Sequence, residues 1–561
     1  MLKEIRAYLR KIGANAIVIP HNDAYFNDNL RVEDERLAYV TGFTGSAGMA
    51  IITPRQAVLF VDGRYVEQAK KQTKFKVLHV PKQTSVSEWL SHFLRPNYVV
   101  AYDPWLQNVA QIEHWAEIFT KRGAKLLPTP FNPVDKFWIE RPKAGAIKNF
   151  VYPAQYAGKT TAQKLLPIRK ILKQKELDAF VLTNVDTVSW LLNKRSDAVM
   201  FNPVYLDRLI ILPKGNPLSF DEKNVEKLKG KIVAIDAYET PVKIKQALID
   251  AGASVHKMRN PFLDFQAVKN ETEVSGMTQA GLLDSIAVCK FFALLPSLVK
   301  KENEYSVMRY LKAFRRESVL YKHKSFENIS AVDKNAALPH YQATAQKNTA
   351  LAKAKVYLLD TGGQYWCGTT DMTRTVALSK VSEDMKIRYT QVLKGHIALA
   401  KQVFPNGTTG GALDVLARQF LWQDGVDFDH GTGHGIGCFL NVHETPPSIS
   451  PRDRNVLKEN MILSNEPGFY AKGKYGIRIE NMMRVIKDKK KGFLSFEMLT
   501  FVPFCDELIK AEMLTDEENL WIEKYYMQIM QRVYPNVEAK VQEWLLKQMS
   551  KWIKRENILT C

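Results

Sequence analysis

Of the 561 residues only five are cysteines (Cys289, Cys367, Cys438, Cys505 and Cys561), scattered, odd in number and free of any Cys-x-x-Cys pair. That excludes a disulfide framework and a thiolate metal site, and it fits a reducing compartment. No run of ~18 apolar residues occurs, so no membrane span is expected. The opening stretch, Met1-Leu-Lys-Glu-Ile-Arg-Ala-Tyr-Leu-Arg10, alternates charged and apolar residues and lacks the apolar core of a secretory signal. Basic residues outnumber acidic ones by 79 to 59, a net +20, yet no dense Lys/Arg block interleaved with aromatics is present. The excess is therefore read as charge spread over a large surface, and no nucleic-acid partner is expected.

With 46% hydrophobic and 25% charged residues the chain has a globular balance, and it is too long for one core. Ala16–Pro20, Met49–Thr53 and Ala57–Asp62 read as buried strands and Tyr65–Gln72 as a helix. A loop rich in proline and lysine around Phe131 and Arg141 closes this first unit. A second repeats the helix–strand theme, with a basic amphipathic helix at Thr160–Lys175 and strands at Ala179–Thr183 and Asp207–Leu212. From about Gln266 the texture changes to a long helix, roughly Glu271–Leu295, followed by hairpins and glycine-rich loops, then helices over Ser382–Phe404 and Thr409–Gln423. The expected organisation is α/β domains at 1–150 and 151–265, an α+β domain at 266–530 and a helical extension at 531–561. In that extension Val541, Trp544, Leu545, Met549, Trp552 and Ile553 recur at helical spacing beside Lys547, Lys551, Lys554 and Arg555, which predicts a helix packed on its own domain.

The unusual chemistry is concentrated in the third domain. Lys355-Val-Tyr-Leu-Leu-Asp360 reads as a strand, Gly362-Gly363 as a turn and Thr369-Thr-Asp371-Met-Thr-Arg-Thr as the returning strand, a hairpin that brings Asp360 and Asp371 together. Two carboxylates so close repel unless a cation lies between them. Asp429-His430-Gly-Thr-Gly-His434-Gly-Ile-Gly is followed by Asn441-Val-His443-Glu444. Three of only eleven histidines thus fall within fourteen positions, among glycines that let the backbone approach closely. Glu466 precedes a Pro-Gly turn, and Glu480 ends the alternating strand Gly476-Ile-Arg-Ile-Glu480. Four carboxylates with one or two imidazoles and no thiolate suit Mn²⁺, Co²⁺ or Zn²⁺, and four negative charges match two divalent ions better than one.

Asp360, Asp371, His434, Glu466 and Glu480 stand in the order and spacing of the metal ligands of the pita-bread metallopeptidases, the fold of methionine aminopeptidase, prolidase and aminopeptidase P. Further segments resemble the long, three-domain aminopeptidase P (Xaa-Pro aminopeptidase) family. They are Tyr39-Val-Thr-Gly-Phe-Thr-Gly-Ser-Ala-Gly48, Val61-Asp-Gly-Arg64-Tyr65, Trp190-Leu-Leu-Asn193, Asn202-Pro-Val204, Leu338-Pro-His340-Tyr341 and the run His430 to Glu444. The resemblance covers about residues 1 to 530 and implies two related N-terminal α/β domains followed by a C-terminal pita-bread domain. It implies release of the first residue from peptides with proline second, by attack of water held between two metal ions, most often Mn²⁺.

By the same resemblance Asp360 binds one ion through both oxygens, Asp371 and Glu480 bridge the pair, and His434 and Glu466 complete the other ion's coordination. Glu466 is the implied proton shuttle, and His443 stabilises the tetrahedral intermediate. His340 and His430 line the pocket for proline, whose imide nitrogen carries no hydrogen. Arg64 reaches the substrate from the first domain or from a neighbouring subunit. A cytosolic homodimer is implied. Two departures are visible: a glycine usual in the family between Arg195 and Ser196 is missing, and the family's His-Glu-Gly-Pro reads His443-Glu-Thr-Pro446. The alternatives are a prolidase-type dipeptidase, or a metal-free pita-bread protein that acts as a binding module.

Overall fold

The computed structural model describes residues 1–553. Two compact units emerge: Met1–Pro153 with Lys159–Phe262, and Ala154–Gly158 with the chain from Leu263 onward.

The first unit holds two large sheets and a two-stranded one, Asn149–Val151 with Lys194–Ser196. One runs Lys76–His79, Ala57–Val61, Met49–Ile52, Ala16–Pro20, Val99–Tyr102, Lys125–Pro128 from edge to edge. Ala16–Pro20 is buried along its whole length because helices cover both faces of the sheet. The two-residue period of a strand then divides its side chains: Ile17 and Ile19 join Ile5, Leu9 and Leu59 on one face, Ala16 and Val18 join Leu90, Trp115 and Phe119 on the other. The second sheet orders Leu218–Ser219, Leu209–Ile211, Ala179–Leu182, Ile232–Ile235, Ser254–Lys257. Its leading helix, Thr161–Gln174, starts at a capping box in which Thr160 and Gln163 satisfy each other's backbone N–H groups. The second sheet thus repeats the helix–strand theme expected for it.

In the second unit the long helix spans Glu271–Leu298, opened by an Asn270/Glu273 capping box. It runs three residues beyond the expected end and through Pro296, because Leu295 and Leu298 are both buried in the core. By length and composition this helix could cross a membrane, but its apolar residues are core residues of the unit. Helices Glu383–Ala400 and Gly410–Trp422 follow. Two sheets frame the candidate site: Ile329–Val332, Val356–Thr361, Met372–Ala377 in one, and a six-stranded sheet that includes Gly433–Gly435, Ile462–Asn465 and Asn481–Lys487 in the other. An antiparallel bridge between Thr373 and Glu480 links them.

The hairpin differs from the expectation in one respect. Gly362-Gly363 is not its turn: Gly363–Tyr365 continues as a strand, paired with Gly368–Thr369 and with Tyr321–Lys324, and the chain reverses at Trp366-Cys367. The neighbouring edge strand supplies hydrogen-bond partners that a glycine pair read alone does not reveal. The terminal helix Ala539–Met549 buries Val541, Leu545 and Met549 in this unit's core, Ile553 joins them, and Trp544 stacks on Phe292. Lys554 and Arg555 lie outside the described residues.

Candidate metal centre

Strand pairing explains why residues distant in sequence meet. Asp360 is the fifth residue of Val356–Thr361 and pairs with Thr373, while Asp371 directly precedes the partner strand. Glu480 donates its backbone N–H to the Thr373 carbonyl at 3.0 Å, and Thr373 Oγ1 donates to Glu480 Oε2 at 2.8 Å. His434 is the middle residue of Gly433–Gly435, and Glu466 directly follows Ile462–Asn465. A Cβ on Gly433 would lie 2.0 Å from the Ser464 carbonyl oxygen, so only glycine lets the His434 strand pass this close. Ligand atoms of Asp371, His434 and Glu480 all fall within 4.8 Å of one another. His434 Nε2 is 3.4 Å from Asp371 Oδ2 and 3.5 Å from Glu466 Oε1. Its Nδ1 sits 2.8 Å from the Gly435 carbonyl, which places the proton on Nδ1 and turns the Nε2 lone pair towards the carboxylates.

Asp360 Oδ1, Asp371 Oδ1 and Glu480 Oε1 are buried, and no donor among the described residues reaches them. Buried polar atoms are ordinarily satisfied, so three orphaned carboxylate oxygens in one place are the mark of a cation's site. Burial drives the Asp371 and Glu480 carboxyls well above the carboxylate range, and the neighbouring carboxylates drive them further. Glu466 is also raised by burial, against the pull of His434 and Arg478. The donor set, oxygen with one imidazole, fits hard or borderline divalent ions.

Of the other expected residues, His443 stands beside the cluster, its ring 4.5 Å from that of His434 at 80°. His430 Nε2 is 2.8 Å from the Tyr470 hydroxyl, and Arg478 Nη1 donates to the same hydroxyl at 2.7 Å. Arg478 Nη2 continues the chain to Asp360 Oδ2, so His430 is tied to a metal-site carboxylate through two side chains. Burial pushes the Tyr470 hydroxyl up to about 12, so it stays protonated as the link. His340 is carried on the loop after Ile329–Val332, half-buried. Arg64 belongs to the other unit, where Asp62 holds its guanidinium through two hydrogen bonds of 2.9 and 2.7 Å. Beside the two departures, Arg195 is buried over the Tyr152 ring, and Glu444, next to the exposed Thr445, forms a buried ion pair with Lys269.

Arg478, Tyr470 and Thr373 were not anticipated from the sequence. A signal for Arg478 existed, since it lies two residues before Glu480 in an alternating strand and so shares its face. Nothing marked Thr373, because threonine in a strand is ordinary.

Residues 275–487 match the profile described as Metallopeptidase family M24, and 492–552 match the C-terminal region of peptidase_M24. Residues 1–130 and 140–227 match Creatinase/Prolidase N-terminal domains. The chain is 34% identical to a probable Xaa-Pro aminopeptidase P of Paracoccidioides brasiliensis, with 98% of each chain covered. It is 33% identical to aminopeptidase P1 of Lotus japonicus, covering 95% of this chain and 96% of that one. Among solved structures, the X-prolyl aminopeptidase of Caenorhabditis elegans, described as a cytosolic enzyme with a di-nuclear active site, superposes with a TM-score of 0.90. The two share 32% identity over 95% of each chain.

Proposed function

This chain belongs to the Xaa-Pro aminopeptidase P family of M24 metallopeptidases, and we propose on that premise that it releases the first residue from peptides whose second residue is proline. The observation that carries the reading is the convergence of Asp371, His434 and Glu480 beside three orphaned carboxylate oxygens. Asp360, Asp371, His434, Glu466 and Glu480 would hold two divalent ions. When bound, such ions acidify water and polarise a peptide carbonyl, so that attack proceeds near neutral pH.

The chain's own residues supply the rest. Glu466 takes a proton from the attacking water and passes it to the leaving proline nitrogen. His443 donates a hydrogen bond to the carbonyl oxygen as negative charge develops there. His430, fixed by Tyr470, and His340 line the pocket for the proline ring, and Arg64 contacts the substrate. Asp360, Asp371 and Glu480 are buried, so electrostatic interactions are strong at the base of the site, whereas His443 is exposed at its rim.

We assign the ions as Mn²⁺, which metal analysis of the native protein tests; zinc or cobalt in its place would overturn the assignment. A cytosolic location is part of the same reading, supported by the solitary cysteines and by the worm relative's description as cytosolic, and the homodimer is carried over from the family resemblance. A light-scattering mass near the 64.1 kDa of one chain would overturn the dimer, and recovery in a membrane or secreted fraction would overturn the location. The division into segments 1–150, 151–265, 266–530 and 531–561 is kept as our domain reading; independent folding of separately expressed 1–265 and 266–561 would support its main boundary, and failure of both to fold would overturn it.

The deciding experiment is hydrolysis of Arg-Pro-Pro, Arg-Ala-Ala and Ala-Pro after metal stripping and Mn²⁺ reloading. Metal-dependent release of arginine from Arg-Pro-Pro alone is the expected result. Cleavage of Ala-Pro alone would replace the reading with a dipeptidase, and silence on all three with a binding protein.

A further inference from the structure

Glu304 is a carboxylate with no accessible surface, and among the described residues no Lys, Arg or His pairs with it. Its charge is met by neutral donors instead. Oε1 accepts the Val332 backbone N–H at 2.7 Å and Asn335 Nδ2 at 2.9 Å. Oε2 accepts the Thr349 backbone N–H at 2.7 Å, the Tyr341 hydroxyl at 2.9 Å and Asn335 Nδ2 again at 3.2 Å. Its backbone adds two more links, an N–H to the Thr349 carbonyl at 3.0 Å and a carbonyl that accepts from Ser330 Oγ at 2.6 Å. Every donor to the carboxylate lies at the end of, or within, one segment, 332–349, and that segment carries His340.

The segment's place is equally specific. Tyr341 and Ala336 pack with Ile329, Ala331 and Leu358. Ile329 pairs with Asp360 and Ala331 with Leu358, so by the two-residue period of strands these residues occupy the face that carries the Asp360 carboxylate. The loop also abuts the strand of Arg478: a Cβ on Gly476 would lie 1.8 Å from the Ala336 carbonyl oxygen. Glu304 therefore fixes both ends and the middle of a loop laid against the metal-site face.

We propose that Glu304 is a positioning residue for substrate recognition, holding the 332–349 loop so that His340 is set to receive the residue after the scissile bond. This rests on the reading of His340 as part of the proline pocket. Only an ionised carboxylate suits the role, because it offers acceptors in every direction. Glutamine at 304 would turn an N–H₂ group towards one set of buried donors and leave them without an acceptor. The metal-site carboxylates are on other strands and keep their own partners, so recognition should change and chemistry should not.

The test is kcat and KM for Arg-Pro-Pro, with metal content, for the Mn²⁺-loaded full chain, E304Q, Y341F, H340A and E304Q/H340A. For E304Q we expect KM to rise about ten- to hundredfold with kcat nearly unchanged and wild-type metal content. Y341F removes one donor but keeps the buried ring, and should raise KM in the same direction by less. If Glu304 acts through His340, the double variant is no worse than H340A. Unchanged KM in both E304Q and Y341F, or a joint fall of kcat and metal content, would overturn the proposal; should E304Q fail to fold, Y341F decides. If the wild type ignores Arg-Pro-Pro, the functional reading has failed, and hydrogen exchange of the 332–349 amides takes over. Faster exchange in the variants is then expected, and unchanged exchange would overturn the role.

Discussion

Replacing Asp371 by asparagine should make the metal-free protein more stable while abolishing its response to metal. At 4.8 Å, two unit charges in a medium of effective dielectric ~20 repel by about 3.5 kcal/mol. Asp371 faces Glu480 at this range, and the charges of Asp360 and Glu466 add to the repulsion. The attraction of Arg478, and proton uptake from solvent, offset part of it. Asparagine keeps the shape, removes the charge and can donate to the orphaned Glu480 Oε1. A net gain of about 1 to 3 kcal/mol is expected in the metal-free state, which corresponds to a rise in melting temperature of roughly 1–5 °C. The sign with pH follows from the raised Asp371 carboxyl: stability is lost as pH rises above its ordinary 3.8. The advantage of the variant should therefore be small near pH 4 and grow towards pH 7. The assay is thermal unfolding of stripped and Mn²⁺-loaded protein. Wild type should gain stability on loading, as any ligand of the native state requires, and the variant should not. A stripped D371N that melts below stripped wild type, or one that still responds to Mn²⁺, would refute the view of Asp371 as a ligand in an unneutralised carboxylate cluster.

Two further outcomes follow from positions outside the carboxylate cluster. Gly476→Ala must push a methyl to within 1.8 Å of the Ala336 carbonyl oxygen, so a loss of about 2–5 kcal/mol in urea unfolding is expected; a neutral variant would show that the loop is not held there. In the first unit, burial and then the charge of Asp236 raise Glu239 from the ordinary 4.5 to about 7, although Asn260 and Asn184 donate to it. Its contribution to stability is present below pH 4.5 and lost as pH rises through about 7, and Glu239→Gln should flatten the stability profile in that window. A variant with the wild-type profile would locate the titration elsewhere.

The candidate ligands were legible because each lies in a short segment whose composition is odd for its surroundings: glycines around His434, a Pro-Gly turn after Glu466, an acid at the end of the Glu480 strand. The strands of the first unit were legible for the opposite reason, since strands buried on both faces are plain apolar runs whatever their pairing direction. The reversal at Trp366-Cys367 was not, because the glycine pair that suggested a turn is instead taken up by pairing with Tyr321–Lys324, about forty residues upstream. Glu304 had no sequence signal at all. It is one acid in a polar stretch, and its side-chain partners lie 28 to 45 positions away.

That contrast has a single physical origin. At Asp360 and Glu480 the protein engages one oxygen and leaves the other alone. Arg478 holds Asp360 Oδ2, Thr373 holds Glu480 Oε2, and His434 faces Asp371 Oδ2, while Asp360 Oδ1, Glu480 Oε1 and Asp371 Oδ1 are unclaimed. One engaged oxygen fixes the rotamer, and the free one is presented in a set direction, so the site is arranged before any ion arrives. The free oxygens require particular residue types at particular spacings, which a sequence displays. The engaged ones require only a donor of suitable reach on whichever strand lies adjacent, and an arginine or a threonine serves equally. Adjacency is set by strand register across more than a hundred residues, as between Asp360 and Arg478. Groups that bind can be read from the chain, whereas groups that aim them become visible only once the strands are paired.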